Sequence, residues 1–357
     1  MQTCAQKAHP MPATIKDIAK KLNISHSTVS RALNGSPLIS QPTAEKIRKT
    51  AAEMGYLHSA AARSLKTNRS QALGVIVSNI DDPFFGEILQ GIEEVAQQNG
   101  YSLFMAASQR DSEKEKFIVQ DMRERRVDGV IICSAVFSAE QSNQLTKYGV
   151  PIVVVNNQSA EAYRYSIYHD DIDGSRQLTR HLIELGHTRI AYLGNASAGR
   201  TNIDRAQGYE QELIAHGLRV IPEYRFDATG NHPLNGMEGV KTFLALPERP
   251  SAIVCYNDMI ATGALKGLQE AGIRVPEEVS VTGFDNIVFS AFTQPALTTF
   301  DQPKRYIGSE AARLLLKLLD TQGEEQHSSE PVVQTLRGKL LVRQSTAPYS
   351  VSKTRNS

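Results

Sequence analysis

The sequence predicts an α/β protein with two parts. An N-terminal all-α helix-turn-helix domain precedes a larger, two-lobed, doubly wound parallel-sheet domain. Two observations carry this. From Ala72 onward, apolar β-branched runs alternate with segments of helical periodicity, and after about residue 170 the same plan starts again. Before residue 58 such runs are absent, and three short segments hold apolar residues at helical spacing. A third observation separates the parts electrically. Residues 1–70 carry eleven Lys and Arg against three Asp and Glu, whereas the rest of the chain carries 28 against 35. A basic head on an acidic body is expected where only one module meets a polyanion.

In the head, Ile15, Ile18, Ala19 and Leu22 fall on one helical stripe. Asn23-Ile24-Ser25 breaks it, and Ser25 suits the N-cap of a second helix running to about Leu33. There Val29, Ala32 and Leu33 point inward, His26, Ser27 and Arg31 outward, with Thr28 and Ser30 flanking. A third helix starts near Ser40, accepts Pro42 in its first turn, packs through Ile47, Ala51 and Met54, and stops at Gly55. Three short helices with a three-residue turn between the first two outline a helix-turn-helix.

The run TIKDIAKKLNISHSTVSRALNG, with I-K-D-I-A followed by S-x-x-T-V-S-R, resembles the opening of the lactose/purine repressor family of bacterial transcriptional regulators. The resemblance implies that His26, Ser27 and Arg31 meet base edges in the major groove of double-stranded DNA. Arg31 can grip guanine with two hydrogen bonds, while Thr28 and Ser30 suit phosphates. Tyr56 is a further candidate DNA contact. The following segment, HSAAARSLKTNRS, is rich in helix formers but too short to be a stable helix alone. By family analogy it is a hinge that folds on DNA, Leu65 wedging into the minor groove with Arg63 and Lys66 near that groove or the backbone. The bland alternative is a flexible linker.

The body reads as strand ALGVIVSN, helix FGEILQGIEEVAQQNG, strand YSLFMAAS, helix KEKFIVQDMRERR, then strands VDGVIICS and PIVVVNN. A second series follows: helix GSRQLTRHLIELG, strand RIAYLG, helix RAQGYEQELIAHG, strand SAIVCYN, helix MIATGALKGLQEAG and strand VSVTGFDN. Runs this apolar suit parallel strands covered on both faces. The expected boundaries are an extension at 1–12, the helix-turn-helix domain at 13–57, a hinge or linker at 58–70, the large domain at 71–346 and a tail at 347–357. The first lobe is expected over 71–170 and 302–328, the second over 171–301 and 329–346.

Ligands of open doubly wound sheets bind beyond the carboxyl ends of strands. The loops there hold Asp82-Pro83-Phe84-Phe85, Asn156-Asn157, Gly199-Arg200-Thr201, Tyr256-Asn257-Asp258 and Phe284-Asp285-Asn286. A polyhydroxylated ligand wants aromatic faces against its C–H groups and fixed carboxylate, amide and guanidinium groups for its hydroxyls. The order of elements also resembles periplasmic sugar-binding proteins, and the resemblance carries over Asp82, Phe84, Phe85, Arg200, Asn257 and Asp285 as effector contacts, with Asn156 and Gln302 beside them. Each has a plainer reading. Phe84 and Phe85 could cap the lobe's core, Asp285 could be a turn residue, and Asp170-Asp171 reads as a helix cap.

Gly194-Asn-Ala-Ser-Ala-Gly199-Arg200-Thr201 has the spacing of a phosphate-binding loop but an Arg in place of its Lys. No GxSxG, HExxH or paired-carboxylate pattern occurs, so no enzyme is expected. Cys133 and Cys255 sit in apolar runs, no metal-type Cys/His spacing includes Cys4, and no cofactor is expected. Without an export signal or an 18-residue apolar stretch, a cytoplasmic protein without a membrane partner is expected. The resemblance implies a homodimer on a pseudo-palindromic operator, controlled by a sugar or sugar-like effector. No leucine heptad follows Arg343, which favours a dimer over a tetramer. Asn257 and Asn231 tilt the effector toward a sugar, since purine-sensing relatives stack an aromatic at the latter. The alternatives are a purine-responsive regulator of the same family and a sugar-binding protein without a DNA function.

Overall fold

The computed structural model describes residues 13–56, 69–109, 111–133, 149–155, 164–320 and 332–350. The expected extension at 1–12, the hinge contacts Arg63, Leu65 and Lys66, the effector candidate Asn156 and the chain after residue 350 lie outside them. Two compact units divide the chain, Met1–Ser70 and Gln71–Ser357.

In the first unit, α1 (Ile15–Leu22), α2 (His26–Leu33) and α3 (Gln41–Glu53) surround a small core of Ile18, Val29, Ala32, Ile47 and Ala51. Thr14 and Asp17 cap α1 reciprocally. Asn23 then turns the chain with φ at 53°, and Ser25 caps α2 by accepting from the Thr28 N–H at 3.1 Å. These local bonds matter because eight-residue helices are marginal without caps and packing.

The second unit holds two six-stranded sheets. The first has the order β11-β5-β4-β3-β1-β2. It comprises β1 (Ala72–Val77), β2 (Ser102–Ala107), β3 (Gly129–Cys133), β4 (Ile152–Val155), β5 (Tyr165–His169) and β11 (Val332–Leu336). All its ladders are parallel. The second has the order β12-β10-β9-β8-β6-β7. Its strands are β6 (Ile190–Asn195), β7 (Arg225–Ala228), β8 (Ala252–Cys255), β9 (Ser280–Asp285), β10 (Thr298–Asp301) and β12 (Lys339–Leu341), the last antiparallel to β10. Helices α4 (Pro83–Gln98), α5 (Ser112–Glu124) and α10 (Lys304–Asp320) cover the first sheet. Helices α6 (Asp171–Glu184), α7 (Arg200–Ala215), α8 (Pro233–Leu244) and α9 (Asp258–Glu270) cover the second. Each sheet has a buried core on both faces, which is why β1, β3, β4, β6 and β8 read as unbroken apolar runs.

The structure adds β5, β7, β10, β11, β12, α8 and α10 to the elements that the sequence pattern marks. Two boundaries are corrected. Residues 332–336, expected in the second lobe, pair with β5 in the first sheet. That short strand lies half-exposed on a sheet edge and carries no lobe-specific pattern. Residues 347–349 are not a free tail. The Tyr349 N–H donates to Leu185 O at 2.7 Å, its hydroxyl accepts from Arg189 at 3.1 Å, and its ring packs near His187. No helix among the described residues is long and apolar enough to cross a membrane.

Candidate functional site

Two sites take shape, one in each unit. In the head, His26, Ser27 and Arg31 are all exposed on α2, with Thr28 and Ser30 half-buried beside them. The Ser25 hydroxyl lies 2.7 Å from that of Ser27 and 2.8 Å from that of Thr28, so three hydroxyls gather at the helix N-terminus. An N-terminus of this kind presents unpaired N–H groups and partial positive charge to a phosphate. Ser30 shares its hydroxyl with the Asn34 amide at 3.4 Å. Tyr56 is half-buried against the head core, its N–H donating to Ala51 O at 2.9 Å. Lys16, Lys20, Lys21, Lys46, Arg48 and Lys49 are exposed, so the basic charge of this unit is available to a polyanion.

In the body, loops at the carboxyl ends of both sheets enclose a cavity of about 60 Å³. Asp82, Phe84 and Phe85 reach it from the first lobe, Asn257 and Asp285 from the second. The volume holds roughly two waters, below the several hundred Å³ usual for ligand pockets. Asp82 caps α4, accepting from the Phe84 N–H at 3.0 Å with one oxygen and from the Asn231 amide at 2.7 Å with the other. Asn231 in turn accepts from Asn257 at 2.6 Å. A carboxylate and two amides therefore bridge the lobes. Phe84 and Phe85 meet edge to face at 5.2 Å, Phe84 being at once a core residue and a cavity wall.

Arg200 is where the structure departs from expectation. It does not line the cavity; exposed at the tip of α7, it pairs with Asp204 at 2.7 Å. Arg205 is the cavity's arginine. Its Nε donates to Asp171 at 2.7 Å, one terminal nitrogen to Tyr256 O at 2.6 Å, and the other reaches Asp285 at 3.4 Å. The guanidinium also lies 3.7 Å over the Phe284 ring. Asp170 caps α6 as expected, but Asp171 does not share that role, serving Arg205 instead.

Asp285 ends β9 with φ at 106°, so it is at once a turn residue and a lining residue of the cavity. Burial pushes its carboxyl well above the usual carboxylate range, against the pull of Arg205. Gln302 is buried behind Asp285, donating to it at 2.6 Å, and supports that carboxylate rather than lining the cavity. Burial pushes the Cys133 thiol, on the cavity wall, up to about 12, which leaves it unreactive.

Comparison with known proteins places these two sites in context. A family model described as bacterial regulatory proteins, lacI family, matches residues 14–59. One described as periplasmic binding proteins and sugar binding domain of LacI family matches residues 70–335. The chain belongs to the LacI family. Its relatives include the HTH-type transcriptional repressor PurR of Aliivibrio fischeri (strain MJ11), 34% identical over 93% of this chain and 99% of that protein. Among solved structures, the lac repressor dimer bound to operator and the anti-inducer ONPF has a TM-score of 0.84 at 27% identity, covering 94% of this chain and 99% of that one. The transcriptional regulator CelR–cellobiose complex has a TM-score of 0.70 at 27% identity, covering 93% and 99%. The protein is therefore a DNA-binding transcriptional regulator of the repressor type.

In this regulator the residues that sequence reasoning missed are Arg205, Tyr256 as a cavity wall, and Asp171. Arg205 had a readable signal. It stands at i, i+4 and i+8 with Tyr209 and Leu213, the buried face of α7, whereas Arg200 leads the helix at its exposed tip.

Proposed function

We propose that this regulator is a homodimeric repressor of a pseudo-palindromic operator, controlled by a neutral, hydroxyl-rich effector of the sugar class that binds between the lobes. One observation carries the effector class. Arg205, the cation among the described cavity-lining residues, is already paired with Asp171 at 2.7 Å and hydrogen-bonded to Tyr256 O at 2.6 Å. Asp82 and Asp285 then leave the cavity rich in acceptors, which suits hydroxyl donors and repels phosphate or carboxylate. Phe84 and Phe85 offer ring faces to the C–H side of such a ligand. The CelR complex, with cellobiose, supports the same class. As such a regulator the protein works in the cytoplasm and performs no catalytic step.

Calorimetry with matched probes tests this: ribose and ribose 5-phosphate, glucose and glucose 6-phosphate, cellobiose, and hypoxanthine. A neutral sugar is expected to bind, and its phosphorylated counterpart at least about tenfold more weakly. Asp285→Ala is expected to weaken that sugar by about one to two powers of ten, roughly the cost of leaving a buried hydroxyl without its partner. Tighter binding of the phosphate ester overturns the neutral class, and binding of hypoxanthine alone overturns the sugar.

A further inference from the structure

Lys304, the first residue of α10, is fully enclosed, although lysine normally keeps its ammonium in water. Its helix packs on the first sheet, yet its Nζ donates to two carbonyls of the second lobe, Asp285 O at 2.5 Å and Asn286 O at 3.0 Å. It also stands 3.3 Å from Glu87 Oε1 of α4 and 3.8 Å from Asp301 Oδ1. The two carbonyls belong to the turn after β9. There φ is 106° at Asp285 and 50° at Asn286, the left-handed region that residues with side chains disfavour. Such a backbone persists only where its surroundings hold it. The next residue, Ile287, belongs to the first-lobe core with Phe84, Ile88 and Ile307, although its N–H donates to Asp258 of the second lobe at 2.8 Å.

We propose that Lys304 is a positioning residue of the effector site. Its ammonium fastens the 285–287 turn, and with it the cavity-facing Asp285 carboxylate, to α4 and α10 of the first lobe. This rests on Asp285 being an effector contact. The turn then has two anchors in the first lobe, an apolar plug at Ile287 and an ionic bolt at Lys304. A ligand that pulls on Asp285 pulls on α4 through Glu87. Methionine at position 304 would fill much of the space but leave both carbonyls and Glu87 without their donor.

Amide hydrogen exchange on the full-length protein, with no small molecule added, tests the fastening. In Lys304→Met, peptides covering 284–288 and the first turns of α4 are expected to exchange about tenfold faster or more. Peptides of β6, β8 and the helix-turn-helix unit should keep wild-type rates. Uniform acceleration across both lobes would make Lys304 a general stabiliser and overturn the positioning role, as would unchanged rates at 284–288. Should Lys304→Met not fold, Glu87→Gln decides. It removes the negative charge of one partner at a half-exposed site and should show the same local pattern at smaller amplitude, wild-type rates overturning the proposal. Exchange reads the fastening and calorimetry of Asp285→Ala reads the effector contact, so the two failures are distinct.

Discussion

Arg200 and Arg205 stand five residues apart on one helix and do different work. Arg205 is 4% exposed and held by two carboxylates and a carbonyl, and losing it would leave Asp171 and Asp285 buried without their cation. Arg205→Gln is therefore expected to abolish measurable sugar binding in calorimetry and to lower the melting temperature of the body. Arg200→Gln should leave sugar binding near wild type, because Arg200 does not line the cavity, but it should still lower the melting temperature, since its partner Asp204 is fully buried and would lose its cation. Asp258 offers a pH test. It accepts from Thr299 at 2.6 Å and from the Ile287 N–H at 2.8 Å, and burial pushes its carboxyl up to about 7. Between about pH 4 and pH 7 the unfolded chain has released this proton while the folded protein retains it. Stability therefore falls as pH rises through that window. Asp258→Asn keeps both bonds if the Thr299 hydroxyl turns round, and removes the titration. Its stability, read from melting curves, is expected to match wild type near pH 4 and to exceed it by on the order of a few kcal/mol by pH 8. Parallel melting curves across that range would contradict this.

At the scale of elements, both lobes bring a helix pair into backbone contact through glycine. A Cβ on Gly308 of α10 would collide with Ile88 O of α4, and one on Gly91 of α4 with Arg305 O. In the second lobe the same collision awaits Gly263 of α9 against Pro233 O, and Gly236 of α8 against Ile260 O. Backbone atoms cannot swing aside as side chains do, so the helices must part. Gly308→Ala is expected to destabilise the body by about 1–3 kcal/mol in urea unfolding, with the helix-turn-helix unit unaffected. Because α4 carries Asp82, Phe84 and Phe85 at its head, the same change should also weaken sugar binding.

For the whole molecule, the near-neutral total conceals a basic unit and an acidic one. DNA binding rests on the former, where Lys16, Lys20, Lys21, Arg31, Lys46, Arg48 and Lys49 are exposed. Six to ten phosphate contacts would release as many counterions. Operator affinity is then expected to drop by about three to five powers of ten between 50 and 200 mM salt, read by a fluorescence-anisotropy titration. A flat salt profile would mean that this charge does not face DNA. Effector and operator share the molecule through linkage, so whatever factor the effector imposes on operator affinity, the operator imposes on effector affinity.

Much of this was legible in the chain itself. Local chemistry determines the head: Thr14, Ser25 and Ser40 start helices, Gly55 ends one, and the stripe through Ile18, Val29 and Ile47 has its partners within about thirty residues. Doubly covered strands announce themselves as apolar runs, so the two-sheet plan and its cavity-facing loops with Asp82, Phe84, Asn257 and Asp285 were visible too. Tertiary structure decided what depends on contacts between distant segments. Only the packing of α7 against α6 and β9 gives Arg205 the partners Asp171 and Asp285, 34 and 80 residues away. Only the return of the chain after β10 buries Lys304 and puts Gln302 behind Asp285. The edge strands β11 and β12 chose their sheets by pairing, for which three to five half-exposed residues carry no code. A periodic pattern records which face of an element is buried; which charges meet across that buried face is written in the fold.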